Sequence, residues 1–121
     1  MKKAGKPIVL VLANGRPLGL SKVEPLCDAI VEMWQPGVPG GKPLAGVLSG
    51  RVNPSGKLSI TFPRSTGQIP IYYNQRKTAR PQSGKYQDIS SSPLYEFGYG
   101  LSYTTFNYGN INLPQRNHQT R

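Results

Sequence analysis

Residues Ile8-Val9-Leu10-Val11-Leu12 form an unbroken apolar run, entered through Pro7 and left through Asn14-Gly15-Arg16-Pro17. A strand with one wet face alternates apolar and polar residues, because successive side chains point to opposite faces of the sheet. An unbroken run of β-branched and leucine residues instead predicts a strand buried on both faces, as in a parallel sheet with layers above and below. That requirement is demanding. A central strand needs neighbours on both sides, and a chain of 121 residues has little to supply them. Only 36% of the residues are apolar, while glycine and proline number 14 and 12. Long regular elements are therefore few, and the core such a chain can build is small.

The next apolar stretch, Ala29–Trp34, predicts a second strand, stopped by Gln35-Pro36-Gly37. A helix over 24–33 is the alternative, since Glu24, Asp28 and Glu32 are spaced four apart. The early Pro36-Gly37 break favours the strand. A glycine-rich loop, Gly37-Val38-Pro39-Gly40-Gly41, leads into a short helix over Pro43–Leu48, with Leu44, Val47 and Leu48 on one face and Gly50 as the stop. The loop has neither the Lys-Ser/Thr of a P-loop nor the spacing of a dinucleotide-binding turn, so it is not assigned to phosphate. Asn53-Pro54-Ser55-Gly56 reads as a turn, and Leu58, Ile60 and Phe62 alternate with Ser59 and Thr61 as a strand with one buried face. Pro63 ends it. This order of elements is a piece of a layered α/β sheet.

Beyond Pro63 the character changes. Residues 75–92 are a polar, basic loop of 18 residues, longer than an ordinary connection. Pro93–Phe106 then holds five aromatics and two glycines, and the alternation over 101–106 predicts a strand. The tail from Asn107 onward is polar and expected to fray.

The net charge of +10 invites an anionic partner. Yet Lys2, Lys3, Lys6, Arg16, Lys22, Lys42, Arg51, Lys57 and Arg64 are scattered, and only Arg76, Lys77, Arg80 and Lys85 bunch together. There is no basic stripe and no nucleic-acid-binding module, so nucleic acid is not the favoured partner. Cys27 is the single cysteine and His118 the single histidine, which supplies neither a Cys–His nucleophile nor a metal set. No cofactor site is expected. No segment reaches the roughly 20 apolar residues of a membrane span, and Ile8–Leu12 is too short for a signal sequence.

Four motifs, read in order, carry a resemblance. They are Gly5–Leu12 with Asn14-Gly15-Arg16-Pro17; Trp34-Gln35-Pro36-Gly37 with Gly40-Gly41; Asn53–Leu58 with Thr61-Phe62-Pro63; and Phe97-Gly98-Tyr99-Gly100-Leu101-Ser102-Tyr103-Thr104. Together they resemble the C-terminal α/β sandwich domain of glycoside hydrolase family 3, the β-glucosidase and β-xylosidase family, over about residues 5–108. Gly67–Asn74 resembles its bacterial β-glucosidase-like branch. The resemblance implies a partial α/β/α sandwich with a mostly parallel sheet. Residues 1–66 would be its second half, 67–100 a loop-rich connector, and 101–121 the start of a fibronectin-III-like strand with its tail. It also implies a larger, periplasmic or secreted enzyme that hydrolyses terminal β-D-glucosides or xylosides. In that enzyme a (β/α)8-type barrel carries the aspartate nucleophile, and the sandwich supplies an acid/base glutamate upstream of the strand matching Ile8–Leu12. Two departures stand out. Arg51 and Val38-Pro39 occupy positions that are commonly acidic in the family.

Retaining glycoside hydrolysis needs two carboxyl groups about 5–5.5 Å apart across the sugar. The chain offers Glu24, Asp28, Glu32, Asp88 and Glu96, none of them in a motif matching the family's nucleophile or acid/base. No catalytic residue is therefore assigned. The expectation is an inactive fragment of the enzyme. The alternative is a stand-alone basic module binding carbohydrate or polyanion, with Trp34, Tyr72, Tyr73 or Tyr99 stacking on it.

Overall fold

The computed structural model describes residues 5–76 and 88–113. Two strands, β1 (Val9–Leu12) and β2 (Ala29–Glu32), pair in parallel with Val9 opposite Ala29 and Leu12 opposite Glu32. The parallel geometry follows from the 16 residues between the strands, enough for the chain to cross back over. Asp28 fixes the register at the start. Its carboxylate accepts from the Ile8 amide at 2.7 Å, while its own amide donates to the Ile8 carbonyl at 2.8 Å. The crossing segment buries Leu20, whose carbonyl accepts from the amides of both Val23 and Glu24.

The helix considered over 24–33 does not form. Glu24–Leu26 makes a single 3-10 turn around Pro25, and Cys27 is already extended at φ −106 and ψ 143. The segment after it joins β1 instead.

A 3-10 turn at Val38–Gly40 leads into helix α1 (Gly41–Leu48), which starts two residues before the expected Pro43 and keeps that proline in its first turn. Gly50 ends it with φ 73, the left-handed conformation glycine adopts without steric cost. Leu44 and Val47 are half-buried as expected, whereas Leu48 is exposed.

Three sequence expectations are corrected. First, β1 is not buried on both faces. Val9 is 46% exposed and Leu10, Val11 and Leu12 are half-buried, because among the described residues β1 has β2 alone beside it. Second, Asn53–Gly56 closes no hydrogen-bonded backbone turn, and residues 58–62 form no continuous strand. Leu58 and Phe62 each bond to the segment 94–99 in antiparallel fashion: Leu58 N to Tyr99 O at 2.8 Å, Gly98 N to Leu58 O at 2.7 Å, and Phe62 N to Tyr95 O at 2.9 Å. The middle is skipped. Opposite Ile60 the partner segment folds into a tight turn closed by Tyr99 N and Glu96 O at 3.1 Å, and Ile60 stays 43% exposed. Third, residues 101–106 form no strand. Ser102 turns its hydroxyl onto the Thr104 carbonyl at 2.9 Å, a local bond that competes with a ladder.

The core lies where these segments cross. Phe62 is 2% exposed, with Thr61 and Pro63 buried beside it. Trp34 and Tyr95 pack their rings against Phe62 at centroid distances of 5.8 and 6.3 Å. Most of the long polar loop, residues 77–87, lies outside the described residues, as do Lys77, Arg80, Lys85 and His118.

Candidate functional site

In open α/β sheets ligands bind beyond the carboxyl ends of the strands. Here two loops meet at that end. β1 runs into Asn14–Pro17 and β2 into Met33–Gly37. Glu32, the last residue of β2, is half-buried between them. Its Oε1 accepts from the Trp34 amide at 2.8 Å, and its Oε2 accepts from Asn14 Nδ2 at 3.3 Å. Asn14 Oδ1 in turn accepts from the Arg16 amide at 3.2 Å, which rounds the first loop. The loops touch elsewhere too. A Cβ on Gly15 would lie 2.8 Å from Gln35 Nε2, so only glycine leaves room for that side chain as placed.

Trp34 holds φ 53, among the described residues the one non-glycine residue with positive φ. A bulky residue in the left-handed region carries strain of order 1–3 kcal/mol, sustained by its surroundings. The Glu32 carboxylate on its amide and the Phe62 ring under its indole are those surroundings. Trp34 is thus a packing residue, as a tryptophan at a strand end usually is.

The other candidate stacking residues do not gather into one platform. Tyr73 is 77% exposed and meets Phe97 at 5.0 Å, whereas Tyr99 stacks on Tyr95 at 5.0 Å and an angle of 24°. Tyr72 is exposed, its carbonyl accepting from the Gln75 amide at 3.1 Å.

Three of the five carboxylates are engaged in holding the structure. Asp28 and Glu32 bind backbone amides, and Glu24 accepts from the Tyr95 hydroxyl at 3.5 Å. Burial, reinforced by the Glu24 charge, raises the Tyr95 phenol above its ordinary pKa. Asp88 and Glu96 are exposed. Among the described residues no three His, Cys, Asp or Glu side chains gather as a metal would require.

Sequence reasoning missed the Glu32 clasp and two others. Gln68 Nε2 faces the carbonyls of Ser90, Ser91 and Ser92, each at 3.1 Å, while its Oε1 accepts from the Arg64 amide at 2.8 Å. Arg64 adds a bond from Nε to the Ser92 carbonyl at 3.0 Å. Asn53 receives the Tyr103 amide at 2.7 Å and donates to Thr104 Oγ1 at 3.1 Å, while the Tyr103 hydroxyl donates to the Val47 carbonyl near the end of α1 at 2.8 Å. Side chains that satisfy backbone groups 22 to 56 residues away leave no local signature in a sequence.

The sequence profile of the Glycosyl hydrolase family 3 C-terminal domain matches residues 1–103. The chain belongs to this family. It is 52% identical to a periplasmic beta-glucosidase of Salmonella typhimurium, over 93% of this chain and 16% of that protein. It is 44% identical to a beta-xylosidase of Formosa agariphila, over 92% of this chain and 16% of that protein. The structure superposes on the beta-glucosidase of Listeria innocua, solved in complex with glucose, with a TM-score of 0.77 and 48% identity. That match covers 84% of this chain and 15% of the Listeria chain. The family 3 chain described here thus spans about a sixth of the length of its curated relatives. The two loops at the end of β1 and β2 include residues of two of its family motifs.

Proposed function

We propose that this chain is a non-catalytic part of a family 3 β-glycosidase, one that hydrolyses terminal β-D-glucosides or xylosides. Its role is to complete the α/β sandwich and to wall one side of the sugar pocket. The acid/base and the nucleophile come from other parts of the enzyme, the nucleophile from a (β/α)8-type barrel, so the chain alone turns over no substrate. Within it, residues 1–66 act as the second half of the sandwich, 67–100 as a connector, and 101–121 as the lead into a fibronectin-III-like domain. The enzyme is periplasmic or secreted, a reading supported by the Salmonella relative, whose name places that protein in the periplasm.

The observation that carries this reading is the open sheet. Two parallel strands with half-exposed faces are not stable by themselves, and β1 has the composition of a strand covered on both sides. The direct experiment is a hybrid enzyme, the Salmonella β-glucosidase carrying this chain in place of its matching segment. The hybrid is expected to hydrolyse a nitrophenyl β-glucoside, and the chain alone is expected not to. A folded but inactive hybrid, or turnover by the chain alone, overturns the reading.

One observation favours a second reading. The exposed Tyr73–Phe97 ring pair is a surface on which a stand-alone module could stack a sugar. Titration of the isolated chain with a β-linked oligosaccharide tests it, and saturable binding to a folded chain would support it.

A further inference from the structure

We propose that Glu32 is a positioning residue for sugar binding, acting through the two loops it joins rather than by touching the sugar. The proposal rests on the reading that this chain walls the sugar pocket of a family 3 β-glycosidase. One carboxylate holds both loops at the carboxyl end of the parallel strands. Oε1 accepts from the Trp34 amide at 2.8 Å, and Oε2 accepts from Asn14 Nδ2 at 3.3 Å. No cation is bonded to it among the described residues, so its hydrogen-bonding capacity is directed at these loops. On one side it stabilises the left-handed Trp34, at φ 53, and strained backbone of this kind concentrates at ligand-binding positions. On the other it orients Asn14, whose Oδ1 accepts from the Arg16 amide and shapes the exposed Gly15-Arg16 turn. Gly15 of one loop lies against the Gln35 side chain of the other, so the two arms of Glu32 act on adjacent loops.

The loops form on binding-competent geometry before substrate arrives, and their displacement removes contacts made equally to substrate and transition state. Loss of such uniform binding raises KM and leaves kcat unchanged. In the active hybrid enzyme, Glu32→Ala is expected to raise KM for a nitrophenyl β-glucoside about tenfold, with kcat within about twofold. Glu32→Gln keeps an oxygen for the Trp34 amide but turns its NH2 group against that of Asn14. It is expected to raise KM by a smaller factor, matching Asn14→Ala, and the Glu32→Gln/Asn14→Ala double variant is expected to add nothing further. If Glu32→Ala fails to fold, Glu32→Gln and Asn14→Ala decide the question. A KM unmoved in both variants, with only the thermal midpoint lowered, would make Glu32 merely structural and overturn the proposal. An unsubstituted hybrid that folds without activity overturns the pocket-wall reading, and this proposal with it. An active hybrid with unmoved KM overturns this proposal alone.

Discussion

The parallel strand pair and the crossing of residues 58–62 on 94–99 divide regularity and burial between them. β1 and β2 have a continuous ladder, yet Val9 is 46% exposed and none of their residues is fully buried. The crossing has two separated points of pairing and a turn between them, yet it holds Phe62 at 2% exposure and the buried Thr61 and Pro63. Hydrogen bonding along a ladder follows from local chain geometry and needs one partner strand. Burial needs cover from several directions, which the crossing obtains from Trp34 and Tyr95. In our account the strand pair obtains its cover from the rest of a family 3 enzyme. The two regions should therefore respond differently to damage, with the crossing covered by residues of this chain and the sheet dependent on context.

The largest effect is expected at the crossing. Phe62→Ala in the hybrid enzyme removes a fully buried ring that two other rings contact, and should cost about 3–5 kcal/mol in a denaturant melt. A loss below about 1 kcal/mol would mean that the crossing is not the core. Leu10→Ala sharpens the contrast. If the sheet is covered in the hybrid, the cost is about 2–5 kcal/mol by the same melt. A cost of a few tenths would show that the faces remain as open as they are in this chain.

These two positions also show what a sequence discloses. The unbroken run at Ile8–Leu12, the Pro36-Gly37 stop and the Leu44/Val47 stripe located β1, β2 and α1, because each is a local pattern with one dominant period. The four family motifs were legible for a similar reason, each being a short local run of residues. The alternation at Leu58, Ile60 and Phe62 misled, since it ignores what the partner does. The turn at Glu96–Tyr99 denies Ile60 a neighbour, and that turn lies almost 40 residues further along. The alternation at 101–106 misled through Ser102 and Asn53, whose side chains bind this segment in place of a strand. At the candidate site, Asn14–Pro17 was recognisable as the turn by which the chain leaves the first strand. The Glu32 clasp was not, because spacing four from Asp28 suggested a helix face and nothing in the sequence places Asn14 beside it.

Two smaller effects test the crossing's details. Gly100 approaches Gly56 so closely that a Cβ would lie 2.7 Å from the Gly56 carbonyl oxygen, with the Lys57 backbone at 3.3 Å. Gly100→Ala should therefore cost about 1–3 kcal/mol in the hybrid's denaturant melt, since backbone rather than a side-chain end must move. An unchanged midpoint would show that the segments do not close on each other as described. The smallest effect concerns Tyr95. Its phenol is raised above the ordinary 10.0 by burial and then by Glu24, so the folded state holds the proton more tightly than the unfolded state. The stability this contributes is fully present below pH about 10 and is lost as pH rises through the higher folded pKa. Thermal melts from pH 8 to 11 should show an alkaline decline that is shallower in Tyr95→Phe. Identical slopes in the two proteins would remove Glu24–Tyr95 as a link between the crossing segment and the loop before β2.

The central claim is that the sheet depends on structure outside this chain, and a two-dimensional amide proton–nitrogen spectrum of the isolated 121-residue chain tests it most directly. The expected spectrum has the β1 and β2 amides broadened and without strand-like dispersion. Sharp, widely dispersed peaks for nearly every non-proline residue would contradict it, and would turn attention to the chain as a module in its own right.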